Sequence, residues 1–524
     1  MDTRQSLHGV ASDNNNLPDG WAIAKLQDIA DIIMGQSPPG STYNDEGEGL
    51  PFFQGKAEFS DRYPNVRVWC TSPKKIAEAG DVLISVRAPV GPTNVANTTC
   101  AIGRGLAAIR PLGKISTEYV LFVLRLLEPQ IAAGGVGSTF TAIKKADLEE
   151  IEIPVAPLAE QKRIVAKVEE LLARVNATRE RLAKVPAILK RFRQAVLAAA
   201  CSGRLTEDWR GDGGATESAA ELLARINLDR EQEYERACKG AKRNNRRPPL
   251  RQLYVPSIEP SNEALPKLPN GWIWTKVSML GACGEEVVKT GPFGAILKSK
   301  EFVTEGVPII AVGNVQWGYL DLQNARVDHV TEEKASQLSD YRVQVGDVLF
   351  TRSGSIGRSL VVPPAAGEWL MSYHLLRVRP DHRLIEPKFL YFVFSGCEAS
   401  KDYTIDSIVG TTRPGINTTI LENLPVPLAP YPEQFEIVRR VEALFKLADI
   451  IENRVGTGRR IAERLTQAIL GKAFRGELVP TEAELARREG RSYDSASELL
   501  ARIKEDRGSF VDSGLTRIRY SARA

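Results

Sequence analysis

The feature that most constrains this chain is that it contains itself twice, since a duplication fixes more about a fold than any single motif. Leu17-Pro18-Asp19-Gly20-Trp21 returns as Leu268-Pro269-Asn270-Gly271-Trp272, and Ala79-Gly80-Asp81-Val82-Leu83 returns as Val345-Gly346-Asp347-Val348-Leu349. Pro154, Pro157, Glu160 and Gln161 reappear as Pro427, Pro430, Glu433 and Gln434; Gln194, Gly203 and Leu205 reappear as Gln467, Gly476 and Leu478. Glu221-Leu222-Leu223-Ala224-Arg225-Ile226 recurs as Glu498-Leu499-Leu500-Ala501-Arg502-Ile503. The offset between copies grows from Trp21/Trp272 to Glu160/Glu433 and then holds through Gly203/Gly476. Insertions therefore lie in loops of a globular part, while the segment after it keeps its length.

Each copy opens with short apolar runs bounded by Gly and Pro, the pattern of buried strands: Val82–Val86 and Leu106–Ile109, then Val307–Val312, Val348–Phe350 and Leu375–Val378. Tyr119–Leu127 and Phe389–Phe394 read as helices on those sheets. The expected fold is α+β: two mixed α/β domains, at 17–157 and 268–430, separated by an antiparallel pair of long coiled-coil helices and related by a pseudo-two-fold repeat. Residues 1–16 form a disordered tail, 158–205 and 431–480 two helical spacers, 206–267 a helical extension with a basic linker, and 481–524 a C-terminal helical extension and tail.

The spacers carry heptad seams. In the first, Ile164, Val168, Leu171, Val175, Leu182 and Val185 follow steps of three, four or seven; Ile437, Val441, Leu444, Ile451 and Val455 do so in the second. Each seam would be exposed alone, so each helix is expected to cover the other. Pro186 should interrupt the first, lacking an N–H, and Gly456 and Gly458 should loosen the second. The run Gln161–Val185 spans about 37 Å at roughly 1.5 Å per residue, close to one turn of B-DNA, ~34–36 Å.

Composition narrows the function class. With 43% hydrophobic residues the chain can build real cores, and no run approaches the ~20 apolar residues of a membrane span. The six cysteines are scattered and the four histidines do not complete zinc spacing, so no metal site and a reduced, cytoplasmic protein are expected. Net charge is only +4, so binding to nucleic acid must rest on local clusters. One such cluster is Lys239, Lys242, Arg243, Arg246 and Arg247, either a flexible linker or a strap on phosphates. No Gly-x-x-x-x-Gly-Lys-Ser/Thr phosphate loop is present. Ser37-Pro38-Pro39-Gly40 and Val362-Pro363-Pro364-Ala365 lack the Asn/Asp and aromatic of an amino-methyltransferase motif.

In their order and duplication, the Leu-Pro-x-Gly-Trp, Gly-Asp-Val-Leu, Pro-x-x-Pro-x-x-Glu-Gln and Glu-Leu-Leu-Ala-Arg-Ile elements resemble the specificity subunit of type I restriction–modification systems (HsdS), over about residues 17–505. The resemblance implies two target-recognition domains, each reading half of a split, asymmetric sequence in double-stranded DNA. It implies helices that set the spacing and dock two methyltransferase subunits, with restriction/translocase subunits joining them. It also implies a non-catalytic chain, with S-adenosylmethionine and ATP bound only by partner subunits. The tail from Gly508 onward has no counterpart in the first copy.

Reading bases and phosphates calls for forked donors, amides and cations in Gly/Pro-bounded loops. The candidates are Gln36, Ser37, Gln54, Lys56, Arg87, Ser138, Thr139 and Lys144, with Lys145 beside it, in the first domain. In the second they are Lys289, Thr290, Asn314, Arg352, Ser353, Thr411, Thr412 and Arg413. Arg87 and Arg352 both follow a Gly-Asp-Val-Leu strand, and His374 reads as a packed or a loop histidine rather than a ligand. Two other classes stay open: a coiled-coil scaffold that binds protein alone, and a self-contained DNA-modifying enzyme.

Overall fold

The computed structural model describes residues 17–133, 142–256, 265–293, 296–408 and 415–512. Two compact units emerge, one from 1–183 together with 455–524 and the other from 184–454.

Each unit holds a mixed α/β domain built on the same four-stranded antiparallel sheet. In the first the order is Ala30–Met34, Leu106–Pro111, Val82–Ser85, Thr93–Val95. In the second it is Val288–Thr290, Leu375–Val378, Val348–Thr351, Ser359–Val361. The predicted central strands are fully buried, as their unbroken apolar runs require. A two-stranded ribbon pairs Ala22–Lys25 with Glu152–Val155, and Ile273–Lys276 with Pro425–Leu428. The domains differ where the offset grew, with a five-stranded sheet added in the first and a three-stranded one in the second. Helices Thr117–Ala133 and Pro387–Gly396 cover the sheets.

The repeated Gly-Asp-Val-Leu motif has a structural purpose. Asp81 accepts two hydrogen bonds from Arg110, both at 2.9 Å, and Asp347 accepts two from Arg379, also at 2.9 Å. Each carboxylate also takes the N–H of the residue three before it, Glu78 or Gln344. The Asp thus fixes the turn into the strand and clamps the next one.

Both spacers are continuous helices of 44 residues, Leu158–Cys201 and Tyr431–Phe474, longer than the run expected. The expected breaks at Pro186, Gly456 and Gly458 do not occur. A helix-interior proline costs about 3 kcal/mol, but Val175 and Leu189 are buried on either side of Pro186. Each such buried side chain returns roughly 1.5–3 kcal/mol, so packing outweighs propensity. Within the first unit Arg179 donates to Thr466 Oγ1 at 2.9 Å and to the Ala462 carbonyl at 3.0 Å, while Arg459 reaches the Leu182 carbonyl. Within the second, Arg193 pairs with Asp449 and Glu452, and Arg440 with Asp208. In the first unit the partner number falls as the first helix's number rises, from Arg179 with Thr466 to Leu182 with Arg459.

The seam is narrower than the heptads imply. Ile164, Val168, Val175, Ile437, Val441 and Val455 are buried, and Leu171, Leu182, Val185 and Leu444 are half-buried. Ile451 is instead exposed, as are Leu447, Ile450, Ile461 and Leu465. The buried column of the second helix runs through Val441, Ala448, Val455, Ala462 and Ile469. The companion column is covered less, with Ile437 buried, Leu444 half-buried and Ile451 exposed.

The extensions cross over. Helix Ala219–Arg243 belongs to the first copy yet packs on the second domain, its Ala219 N–H donating to Gly271 O at 2.8 Å. Helix Ala496–Asp512 belongs to the second copy and packs on the first domain, with Ala496 N–H on Gly20 O at 2.8 Å. Ser218 with Glu221, and Ser495 with Glu498, close reciprocal hydrogen bonds at the two starts. Part of the basic segment expected as a linker is helical: Lys239, Lys242 and Arg243 end the first of these helices, and its positive charges lie at the favourable C-terminal end. Residues 508–512 continue the second helix.

Candidate nucleic-acid interface

In the first domain a chain of backbone hydrogen bonds draws several predicted loops together. Gly35 N–H reaches Leu106 O, Gln36 N–H reaches Ile102 O, Gly103 N–H reaches Phe53 O and Val86 N–H reaches Gly105 O, at 2.8–3.0 Å. Ser37 Oγ accepts from Arg104 N–H at 3.2 Å. A Cβ at Gly105 would lie 2.1 Å from Gln54 O, so only glycine allows this approach. Gln36, Gln54, Lys56 and Arg87 are exposed here, with Ser37 half-buried between them. Lys144 is exposed one residue after Ile143, whose N–H binds Val86 O at 3.1 Å. Lys145 is tied to Glu149 at 3.3 Å. Ser138 and Thr139 lie outside the described residues, as do Thr411, Thr412 and Arg413.

The second domain gathers a different set at the same sheet end. Arg352 lays its guanidinium 5.1 Å from the centre of the Tyr373 ring and donates from Nη1 to Thr290 Oγ1 at 3.2 Å. Ser353 Oγ lies 2.8 Å from His374 Nδ1, and Tyr373 also packs against Phe293 with ring centres 5.1 Å apart. His374 is exposed and engaged in this loop cluster, the loop alternative of its reading. Lys289 is less available: it pairs with Glu286 at 3.2 Å and lies over Tyr341.

Two readings need correction. Asn314 is 1% exposed and faces protein. Its side chain accepts from Ala311 N–H at 2.9 Å and donates to the carbonyls of Asp321 and Arg326. Burial makes it a loop brace. Arg87 and Arg352 are also not counterparts. Arg352 N–H binds His374 O and its carbonyl accepts from Ile416, the places that Val86 fills with Gly105 and Ile143. Arg87 thus matches Ser353, and one residue along an extended chain reverses the side on which a side chain stands. The spacing from Gly80 and Gly346 already implied this.

Residues outside the sequence-based set also reach these loops. Arg104, exposed between two glycines, sits just before the strand at Leu106, as Tyr373 and His374 sit before Leu375. Their position immediately before a predicted strand in both copies was the available signal.

A family model for the type I restriction modification DNA specificity domain matches residues 18–187 and, again, 286–455. The chain belongs to this family. The type I restriction enzyme EcoKI specificity subunit of Escherichia coli K12 is 28% identical over 529 residues, covering 94% of this chain and 97% of that one. The EcoDI specificity subunit of Escherichia coli is 28% identical over 502 residues, covering 94% and 96%. The MjaX specificity subunit of Methanocaldococcus jannaschii is 45% identical over 163 residues, which is 30% of this chain and only 38% of that relative. The crystal structure of an HsdS subunit from Thermoanaerobacter tengcongensis shares 52% identity across 33% of this chain and 42% of that one, with a TM-score of 0.30. For this specificity chain, the two matched stretches each hold one domain's sheet and the first part of a long helix.

Proposed function

We propose that this chain is the non-catalytic specificity subunit of a type I restriction–modification complex, reading a bipartite, asymmetric target in double-stranded DNA. The carrying observation is that two copies of one sheet present different polar loops at the same end. One offers Gln36, Gln54 and Arg87, the other Arg352 on Tyr373 with Ser353 and His374. Equivalent frames with unlike edges suit two half-sites of unlike sequence.

The long helices act as an antiparallel coiled-coil spacer, a reading supported by the buried seam and the opposed contact order within the first unit. Methyltransferase subunits dock on the helices, whose exposed Leu447, Ile450, Ile451, Ile461 and Leu465 are the kind of apolar surface that a partner covers. Restriction/translocase subunits join that core, and S-adenosylmethionine and ATP are used by the partners. The complex works on DNA in the cytoplasm.

Methylome sequencing of a host with and without this chain tests the reading. Loss of one split methylated motif is expected. Replacing residues 17–157 with another family member's domain should change one half of that motif alone. Unchanged methylation would overturn the reading.

A further inference from the structure

The second domain carries a turn that none of the recognition loops accounts for. Val315 and Leu320 bridge across Gln316-Trp317-Gly318-Tyr319, Gln316 N–H binds Tyr319 O at 3.0 Å, and Gly318 has φ +82°. The turn is built to be rigid: Val315 is fully buried, Asp321 N–H binds Asn314 O at 2.8 Å, and the buried Asn314 side chain ties its base to Asp321 and Arg326. Yet its two aromatic rings stay in solvent, Trp317 at 50% and Tyr319 at 60% exposure. A braced turn that exposes two large rings presents them to something.

The neighbouring loop indicates what. Gly318 N–H donates to Ser359 O at 3.0 Å, and Trp317 Cη2 lies 3.9 Å from where a Cβ on Gly357 would stand. Both contacts fall at the end of the loop that starts with Arg352. Between residues 265 and 430, Arg326, Arg342, Arg377, Arg379 and Arg383 each face a carboxylate within 4.0 Å. Among the described residues there, Arg352 and Arg358 are the arginines that face none, and both lie on this loop. Uncompensated cations beside exposed rings match a ligand that is both polyanionic and aromatic.

We propose that Trp317 and Tyr319 stack on a partly unstacked base step of the DNA held by the second domain, with Arg352 and Arg358 bound alongside. This deepens the function proposed above and rests on it. Aromatic wedges unstack a step and bend the duplex, which widens the surface it shares with the protein. The matching turn of the first domain, Ser60-Asp61-Arg62-Tyr63, lacks the tryptophan, and its Arg62 is committed to Glu118 and Glu169. The device therefore belongs to one half-site.

The test uses the assembled complex and duplexes of its methylome-defined motif, with 2-aminopurine placed in turn along the second half. Wild type should brighten the probe at one step. Trp317→Ala with Tyr319→Ala should abolish the brightening and weaken binding about tenfold, while Trp317→Phe keeps both. The proposal is overturned if no position brightens in wild type, or if the double variant matches it. It is overturned equally if the double variant loses methyltransferase assembly with its DNA signal intact. A wild-type complex that methylates no split motif would instead defeat the underlying functional reading.

Discussion

Trp21 donates its indole Nε1–H to Glu160 Oε1 at 3.0 Å, and Trp272 repeats the bond to Glu433 Oε2 at 2.9 Å. The tryptophan opens a recognition domain and the glutamate opens a long helix, so each bond latches a domain to its own spacer. The second carboxylate oxygen of Glu160 accepts from Glu482 N–H at 2.8 Å, at the start of the C-terminal extension. Glu433 instead takes Thr206 Oγ1 at 2.6 Å together with Arg210. One buried carboxylate therefore joins domain, spacer and extension in each unit.

Removing that latch should destabilise its unit. Glu160→Ala strands buried donors on Trp21 and Glu482, at about 1–3 kcal/mol per unpaired group. Chemical denaturation should show a loss that Trp21→Phe, which removes donor and ring edge together, reproduces only in part.

The same carboxyl gives a signed pH effect. Burial raises its pKa above the usual carboxylate range, against the hydrogen bonds from Glu482 and Trp21 and the charge of Arg163. A carboxyl raised in the folded state contributes stability that is fully present below its unfolded pKa, near ~4.3. That contribution is lost as pH rises through the folded value. Stability measured against Glu160→Gln should therefore favour wild type more at acid pH than at neutral pH.

The two extensions supply a matched pair of arginines with different burial. Arg230 is 1% exposed and bonds to Met279 O, Gly281 O and Asp381, whereas its counterpart Arg507 meets Asp31 at 2.5 Å near the surface. Arg230→Ala should strand the carbonyls of Met279 and Gly281 at about 1–3 kcal/mol per unpaired group, while Arg383 still holds Asp381 at 2.8 Å. Arg507→Ala should cost roughly 0–1 kcal/mol from its ion pair, and thermal unfolding of each variant separates the two.

Seam and outer face should respond differently. Ile164→Ala and Ile437→Ala, at fully buried positions, should each cost about 2–5 kcal/mol. Ile451→Ala should change stability within roughly ±0.5 kcal/mol and instead weaken co-purification with methyltransferase subunits.

Arg352→Ala should relax the half of the motif read by the second domain, losing about 1–3 kcal/mol of discrimination, and leave the other half unchanged. Arg352→Lys should not restore it, because an ammonium has no planar fork to lie on Tyr373. Motif logos from methylomes of the variants decide both.

The sequence alone determined the duplication, the α+β class, the central strands and the two long helices. These follow from local periodicity and from spacing, which a chain carries wherever it folds. Tertiary structure decided the rest. Pro186 stays helical because burial on neighbouring turns overrides local propensity, and Ile451 faces outward because the buried column runs through Ala448 and Val455 instead. Asn314 becomes a brace, and Tyr373 a platform for Arg352, because those roles depend on residues far along the chain. The exchange of extensions, Ala496 on Gly20 and Ala219 on Gly271, is likewise invisible in either copy read alone. Two repeats with the same apolar faces can close on themselves or on each other, and only three-dimensional packing selects between them.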